Sequence, residues 1–113
     1  MSFCLIILAG GNSHRFKSKI GKPYQKIAGK SLIEINVIKA RKFKQIKKII
    51  LVYNKKDLKR VKSLKLNNVK LITGGDSRQL STYNALRHLR NHKGISKVLI
   101  HDVARPNLSL IHI

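Results

Sequence analysis

Apolar positions fall in four short, dense runs along the chain, and everything between them is punctuated by charge, glycine or helical spacing. The first run, Phe3 to Leu8, is unbroken. Six consecutive apolar residues are too few for a buried helix and match a strand covered on both faces. Lys48–Tyr53, Val69–Thr73 and Lys97–Ile100 repeat the signal with β-branched residues, and each is bounded by charge, Asn54 or the Gly74-Gly75 pair. Helical spacing fills the intervals. Ser31 and Glu34 form a capping-box pattern ahead of Ile33, Val37 and Ala40, which predicts a helix from Ser31 to about Phe43. Asp57 is expected to cap a short helix through Ser63. Tyr83, Leu86 and Leu89, three residues apart, predict a further helix from Ser81 to about Arg90, stopped near Gly94. Strands alternating with helices imply right-handed βαβ units and a mainly parallel sheet.

Parallel strands end on the same side, so the loops that begin at Ala9, Gly74 and Asp102 should share one edge. In the first, Gly10 and Gly11 allow main-chain N–H groups to approach a bound anion closely, and Arg15 and Lys22 add fixed positive charge. That combination suits a nucleoside triphosphate. Two better-known phosphate loops do not fit. A Walker A reading of Gly11 to Ser18 puts Phe16 where its second glycine belongs, and one of Tyr24 to Ser31 begins on tyrosine and follows no strand. The dinucleotide pattern also fails, because Asn12 and Ser13 follow the glycine pair. The second loop, Gly74 to Ser81, brings a carboxylate (Asp76), a guanidinium (Arg78) and hydroxyls. The third, His101 to Pro106, brings Asp102 and Arg105 on a segment stiffened by Pro106.

Charge changes the picture less than its size suggests. The 113 residues include 25 Lys and Arg against 4 Asp and Glu, a net charge of +21. Such an excess invites phosphate-bearing partners. The lysines are spread over the whole chain, though, and three Tyr with three Phe are few for stacking on bases. The three readings are dispersed charge on solvated helix faces, attraction of small phosphorylated substrates, and nucleic acid, in that order. The acids carry more information: Glu34 and Asp57 stand at helix starts, leaving Asp76 and Asp102 as candidates for chemistry. A lone Cys4 inside the first apolar run gives no disulfide framework. No apolar stretch approaches the roughly 20 residues of a membrane span, and no basic segment precedes the first run, so a cytoplasmic protein is expected.

Taken together, Leu8–Phe16 (Leu-Ala-Gly-Gly-Asn-Ser-His-Arg-Phe), Gly21–Gln25 (Gly-Lys-Pro-Tyr-Gln), Gly74–Ser81 (Gly-Gly-Asp-Ser-Arg-Gln-Leu-Ser) and His101–Pro106 (His-Asp-Val-Ala-Arg-Pro) resemble the 2-C-methyl-D-erythritol 4-phosphate cytidylyltransferases of non-mevalonate isoprenoid synthesis. The resemblance runs from about Phe3 to Ser109. It implies a Rossmann-like nucleotidyltransferase α/β fold with a mainly parallel sheet, truncated, so that residues 1–113 are the N-terminal part of a single domain. Members transfer a cytidylyl group from CTP to methylerythritol phosphate and release pyrophosphate.

By the same resemblance, Ala9, Gly10, Gly11 and Ser13 would wrap the CTP, and Arg15 and Lys22 would contact its phosphates and stabilise the transition state. Gly75, Asp76 and Ser81 would hold the cytidine. Asp102, Val103 and Arg105 would lie near the ribose and the methylerythritol phosphate. Mg²⁺ would ride on the triphosphate with little protein ligation, and the parent would be a homodimer, in some bacteria fused to the cyclodiphosphate synthase of the pathway. Ser13 replaces the family's usual glycine, and Gly-Lys-Pro-Tyr-Gln replaces its usual Pro-Lys-Gln-Tyr-Leu. Each residue also has a plain reading: Arg15 and Lys22 as surface cations, Asp76 as a turn former, Asp102 and Ser81 as caps. The alternatives in function are a transferase acting on ribitol phosphate or a sugar phosphate, and a non-catalytic basic module binding nucleic acid.

Overall fold

The computed structural model describes residues 2–9, 26–27, 29–75, 77–90, 95 and 97–103. In chain order the elements are β1 (Phe3–Ala9), a hairpin of β2 (Lys26–Ile27) and β3 (Lys30–Ser31), α1 (Leu32–Arg41), β4 (Ile46–Tyr53), α2 (Leu58–Ser63), β5 (Val69–Thr73), α3 (Arg78–Leu89) and β6 (Lys97–Asp102). Four of the strands form one all-parallel sheet in the order β5-β4-β1-β6. This is the expected α/β architecture.

The order explains where the helices lie. From β1 the chain steps outward to β4 and then β5, and the helices it uses, α1 and α2, share one face. Leu32, Ile33, Val37 and Ala40 of α1 and Val61 of α2 pack there on Leu5, Ile7, Ile49, Leu51 and Leu99. The chain then reverses, passing back over β4 and β1 to reach β6. A right-handed crossover in the opposite direction puts its helix on the opposite face. There Ala85 and Leu89 of α3 meet Cys4, Ile6, Leu8, Ile50 and Val52. β1 is covered on both faces, which is why its residues Cys4 to Ala9 are all buried and its sequence never alternates.

Local chemistry sets the ends. Ser31 caps α1: its Oγ accepts from Glu34 N–H at 3.2 Å, and Glu34 Oε1 accepts from Ser31 N–H at 3.1 Å, the expected capping box. The helix stops at Arg41, two residues short of the expected end. Asp57 does not cap as expected. Asn54 does, accepting from Lys56 N–H at 3.2 Å at the head of a 3₁₀ turn that leads into α2, while Asp57 lies 3.8 Å from Arg60. β1, β4 and β6 each extend beyond the predicted runs, so Ala9 and Asp102 close strands rather than open loops. The β2–β3 hairpin was not predicted. It turns through Gly29, whose φ of 84° suits glycine.

The larger correction concerns α3. It begins at Arg78, three residues before the expected Ser81, and of the apolar residues whose spacing predicted it Tyr83 is 55% and Leu86 42% exposed. The buried contacts are Ser81 and Ala85, small side chains that let the helix lie close to the sheet. Among the described residues no helix is long and apolar enough to cross a membrane.

Two outcomes test this packing. Ala85→Leu should lower stability by about 1–3 kcal/mol through overpacking, whereas Leu86→Ala should stay within about 0.5 kcal/mol, both read from urea unfolding; an equal loss from both would place the apolar stripe against the sheet after all. Burial pushes the Cys4 thiol up to about 12 from an ordinary 9.0, and the Lys48 charge offsets only part of this. Unfolded chains then release a proton that the native state keeps, so from pH 9 upward stability falls by as much as about 1.4 kcal/mol per pH unit. Cys4→Ala should remove that increment of slope, and parallel pH profiles for the two proteins would show that the native thiol titrates normally.

Candidate active site

The strand order reverses at β1, so the crevice beyond the carboxyl ends of β1 and β6 is the place where an open parallel sheet accommodates a ligand. The register brings the two ends level. Leu8 pairs with Asp102, and Val103 N–H donates to the Leu8 carbonyl at 3.1 Å, binding the start of the third loop directly to the end of β1. Ala9 is buried, so β1 offers the rim main chain alone. Val103 is also buried, packed with Leu32 and Ile33 in the α1 face. Asp102 is half-exposed and stands between these two fixed points.

The second loop is held from two directions. Gly74 N–H donates to the Tyr53 carbonyl at 2.7 Å, which ties the exit of β5 to the end of β4. Gly75 N–H donates to Ser81 Oγ at 3.2 Å. A Cβ at Gly74 would come within 2.8 Å of that same oxygen, and one at Gly75 within 2.4 Å of Leu80 Cβ, so both positions need glycine for closeness alone. Asn84 adds a third tie, its Nδ2 donating to the Thr73 carbonyl at 3.1 Å.

Ser81 therefore differs from its expected plain role. The helix begins earlier, at Arg78, behind Ser77, whose Oγ accepts from Leu80 N–H at 3.1 Å. Ser81, 4% exposed, lies inside the first turn and turns its hydroxyl back onto the glycine loop. Asn84 and Ser77 were not singled out in the sequence. Ser77 carried a readable signal, a hydroxyl directly after Gly-Gly-Asp, but the helix start had been set by the apolar spacing further on.

Of the expected site residues, Ala9, Gly75, Ser81, Asp102 and Val103 lie on this one edge. Gly10, Gly11, Ser13, Arg15, Lys22, Asp76 and Arg105 lie outside the described residues. Among the described residues no group of three His, Cys, Asp or Glu could cage a metal ion. The only carboxylate described at the rim is Asp102.

The all-parallel sheet, its order reversal at β1 and the strand-end rim define an α/β protein of nucleotidyltransferase fold. Comparison with known proteins makes this specific. The family model described as "IspD: 2-C-methyl-D-erythritol 4-phosphate cytidylyltransferase" matches residues 3–113, and the chain belongs to that family. It is 46% identical over 110 residues to the "Bifunctional enzyme IspD/IspF" of Pelagibacter ubique, covering 97% of this chain and 29% of the relative. It is 35% identical over 111 residues to the "Bifunctional ribulose 5-phosphate reductase/CDP-ribitol pyrophosphorylase Bcs1" of Haemophilus influenzae, covering 92% of this chain and 23% of that protein. The solved structure of the bifunctional IspDF from Campylobacter jejuni superposes with a TM-score of 0.79 at 29% identity, over 96% of this chain and 28% of the other. The chain spans less than half the length of these curated relatives.

Removing the Ser81 hydroxyl should loosen the second loop without unfolding the helix. Ser81→Ala is expected to cost about 1 kcal/mol, the net worth of one hydrogen bond, and to raise amide exchange at Gly75 selectively. Unchanged exchange at Gly75 would mean that the contact does not hold the loop.

Proposed function

We propose that the protein carrying this chain transfers a cytidylyl group from CTP to 2-C-methyl-D-erythritol 4-phosphate, and that residues 1–113 form the N-terminal, CTP-holding part of its single nucleotidyltransferase domain. The observation that carries the reading is the placement of Ala9, Gly75 and Asp102, one from each predicted loop, at the ends of parallel strands on one sheet edge in a member of the IspD family. In this reading the main chain from Ala9 through Gly10, Gly11 and Ser13 wraps the triphosphate. Arg15 and Lys22 neutralise the phosphoryl oxygens. Gly75, Asp76 and Ser81 hold the cytidine, with Asp102, Val103 and Arg105 toward the ribose and the acceptor.

A phosphate oxygen of the acceptor attacks the α-phosphorus of CTP, a new P–O bond forms, and the bond to pyrophosphate breaks. Negative charge moves onto the departing pyrophosphate, so preorganised cations are the main catalytic need and no protein nucleophile is used. Asp102, the carboxylate described at the rim, suits a Mg²⁺ ion whose ligands come mostly from the triphosphate, since Mg²⁺ is commonly held by one or two carboxylates plus phosphates. When bound, the ion supplies further neutralisation of phosphoryl charge. Ser81 already accepts from Gly75, leaving its own hydroxyl proton to donate toward a base. The protein acts in the cytoplasm, as a homodimer.

The relative from Haemophilus influenzae carries CDP-ribitol in its name, so the acceptor is the finer point to test. In the parent protein with CTP and Mg²⁺, methylerythritol phosphate should be turned over in preference to ribitol phosphate, and Lys22→Ala should slow turnover about a hundredfold, roughly 3 kcal/mol of barrier. Preference for ribitol phosphate would reassign the acceptor, and wild-type turnover in the Lys22 variant would remove that residue from the mechanism.

A further inference from the structure

Away from the β1–β6 crevice, a cleft of about 340 Å³ runs between α3 and β5, lined by Ile72, Thr73, Asn84, Arg87 and His88. None of these is acidic. His88 Nε2 lies 3.2 Å from Lys48 Nζ. An ammonium only donates, so in this contact the imidazole is the acceptor. The register pairs Ile50 with Lys70 and Val52 with Ile72, which places Lys70 on the same sheet face as Ile72, one pleat along β5. Arg87 and His88 thus line the cleft, Lys48 stands against His88, and Lys70 lies one pleat along the β5 wall.

Dispersed charge does not account for this. Arg87 and Lys70 are as exposed as Lys42, Lys44, Lys47, Lys55 and Lys56, so what sets them apart is their grouping at one cleft. Here the cations stand around a polar wall in which Asn84 Nδ2 is already fixed on the Thr73 carbonyl, over the apolar floor of Ile72. Positive groups gathered at one open cleft raise the local potential for anions. The described carboxylates lie elsewhere. Glu34 is in the capping box of α1 on the other face, Asp57 is beside Arg60, and Asp102 ends β6, three strands from β5, about 14 Å at the usual strand spacing.

We propose that this cleft is a second anion site, one that takes the phosphate group of a small phosphorylated metabolite. Arg87 supplies a planar fork matched to phosphate oxygens. Lys48 and Lys70 add charge, and the volume is that of a small-ligand pocket rather than a track for a polymer, such pockets starting at about 300 Å³.

The test uses the parent protein, isotope-labelled, in 0.15 M salt, titrated separately with inorganic phosphate, glycerol phosphate and a short single-stranded DNA while residue-resolved spectra are recorded. Phosphate and glycerol phosphate should give saturable shifts confined to Thr73, Asn84, Arg87 and His88. Arg87→Ala should weaken them about tenfold, the worth of one charge-assisted hydrogen bond, and Lys44→Ala should leave them unchanged. Arg87 is exposed, and the dispersion of the same spectra checks that its variant is folded. Shifts spread without saturation over the exposed lysines, an Arg87 variant that binds as the wild type does, or tighter binding of the DNA than of the ester would each overturn the proposal. A CTP titration in the same tube reads the rim at Gly75 and Asp102, so failure there would count against the cytidylyltransferase reading and leave the cleft standing.

Discussion

The structure depends on one constraint: a parallel strand paired on both edges must be covered on both faces. β1 satisfies its main-chain groups through β4 and β6, so its side chains have only the space above and below the sheet. Covering both faces requires helices on both sides, and right-handed crossovers deliver them to opposite sides only if the strand order reverses. The reversal at β1 is therefore a condition for burying Cys4 to Ala9. It also leaves a crevice at the carboxyl end of the strand that caused it. Core and site follow from the same arrangement.

That logic was legible where the signal was long and one-sided. Dense apolar runs located all four strands of the parallel sheet, and the Ser31–Glu34 box located α1. What differed was the start of α3, Arg78 rather than Ser81. Three large apolar residues at helical spacing resemble a buried stripe, but the helix lies close to the sheet on Ser81 and Ala85, and small residues give a hydropathy pattern no such weight. Starting the helix at Ser81, just ahead of that spacing, hid the cap at Ser77. The β2–β3 hairpin escaped for a different reason, since two-residue strands have no period to detect. In the site, glycines and acids after strands were readable as loop chemistry. The ties from Ser81 and Asn84 were not, because they act across the turn between β5 and α3 and depend on where that helix begins.

The scarcity of acids has a structural meaning as well. With a net charge of +21, the folded chain carries strong self-repulsion, and a stray carboxylate would be drawn to many competing cations. The described acids are instead given definite positions: Glu34 by its capping box, Asp57 beside Arg60, and Asp102 at the end of a strand. Of these, Asp102 is the one at the rim.

The second loop shows how such a rim is kept in shape. Two adjacent glycines are costly to order, at about 1–2 kcal/mol for each backbone residue and toward the upper end for glycine. Three hydrogen bonds converge on the segment, from Tyr53, Ser81 and Asn84, each worth about 1 kcal/mol net. The two sums are of the same size, so the loop is held near its working geometry without a ligand, but only narrowly. Losing any one tie tips the balance toward disorder at Gly75. Glycine is nevertheless required there, because a side chain at either position would collide with the Ser81 and Leu80 contacts that hold the turn. The main chain is thus kept bare by the first turn of α3, the same turn whose Ser81 hydroxyl fixes the direction of the Gly75 N–H.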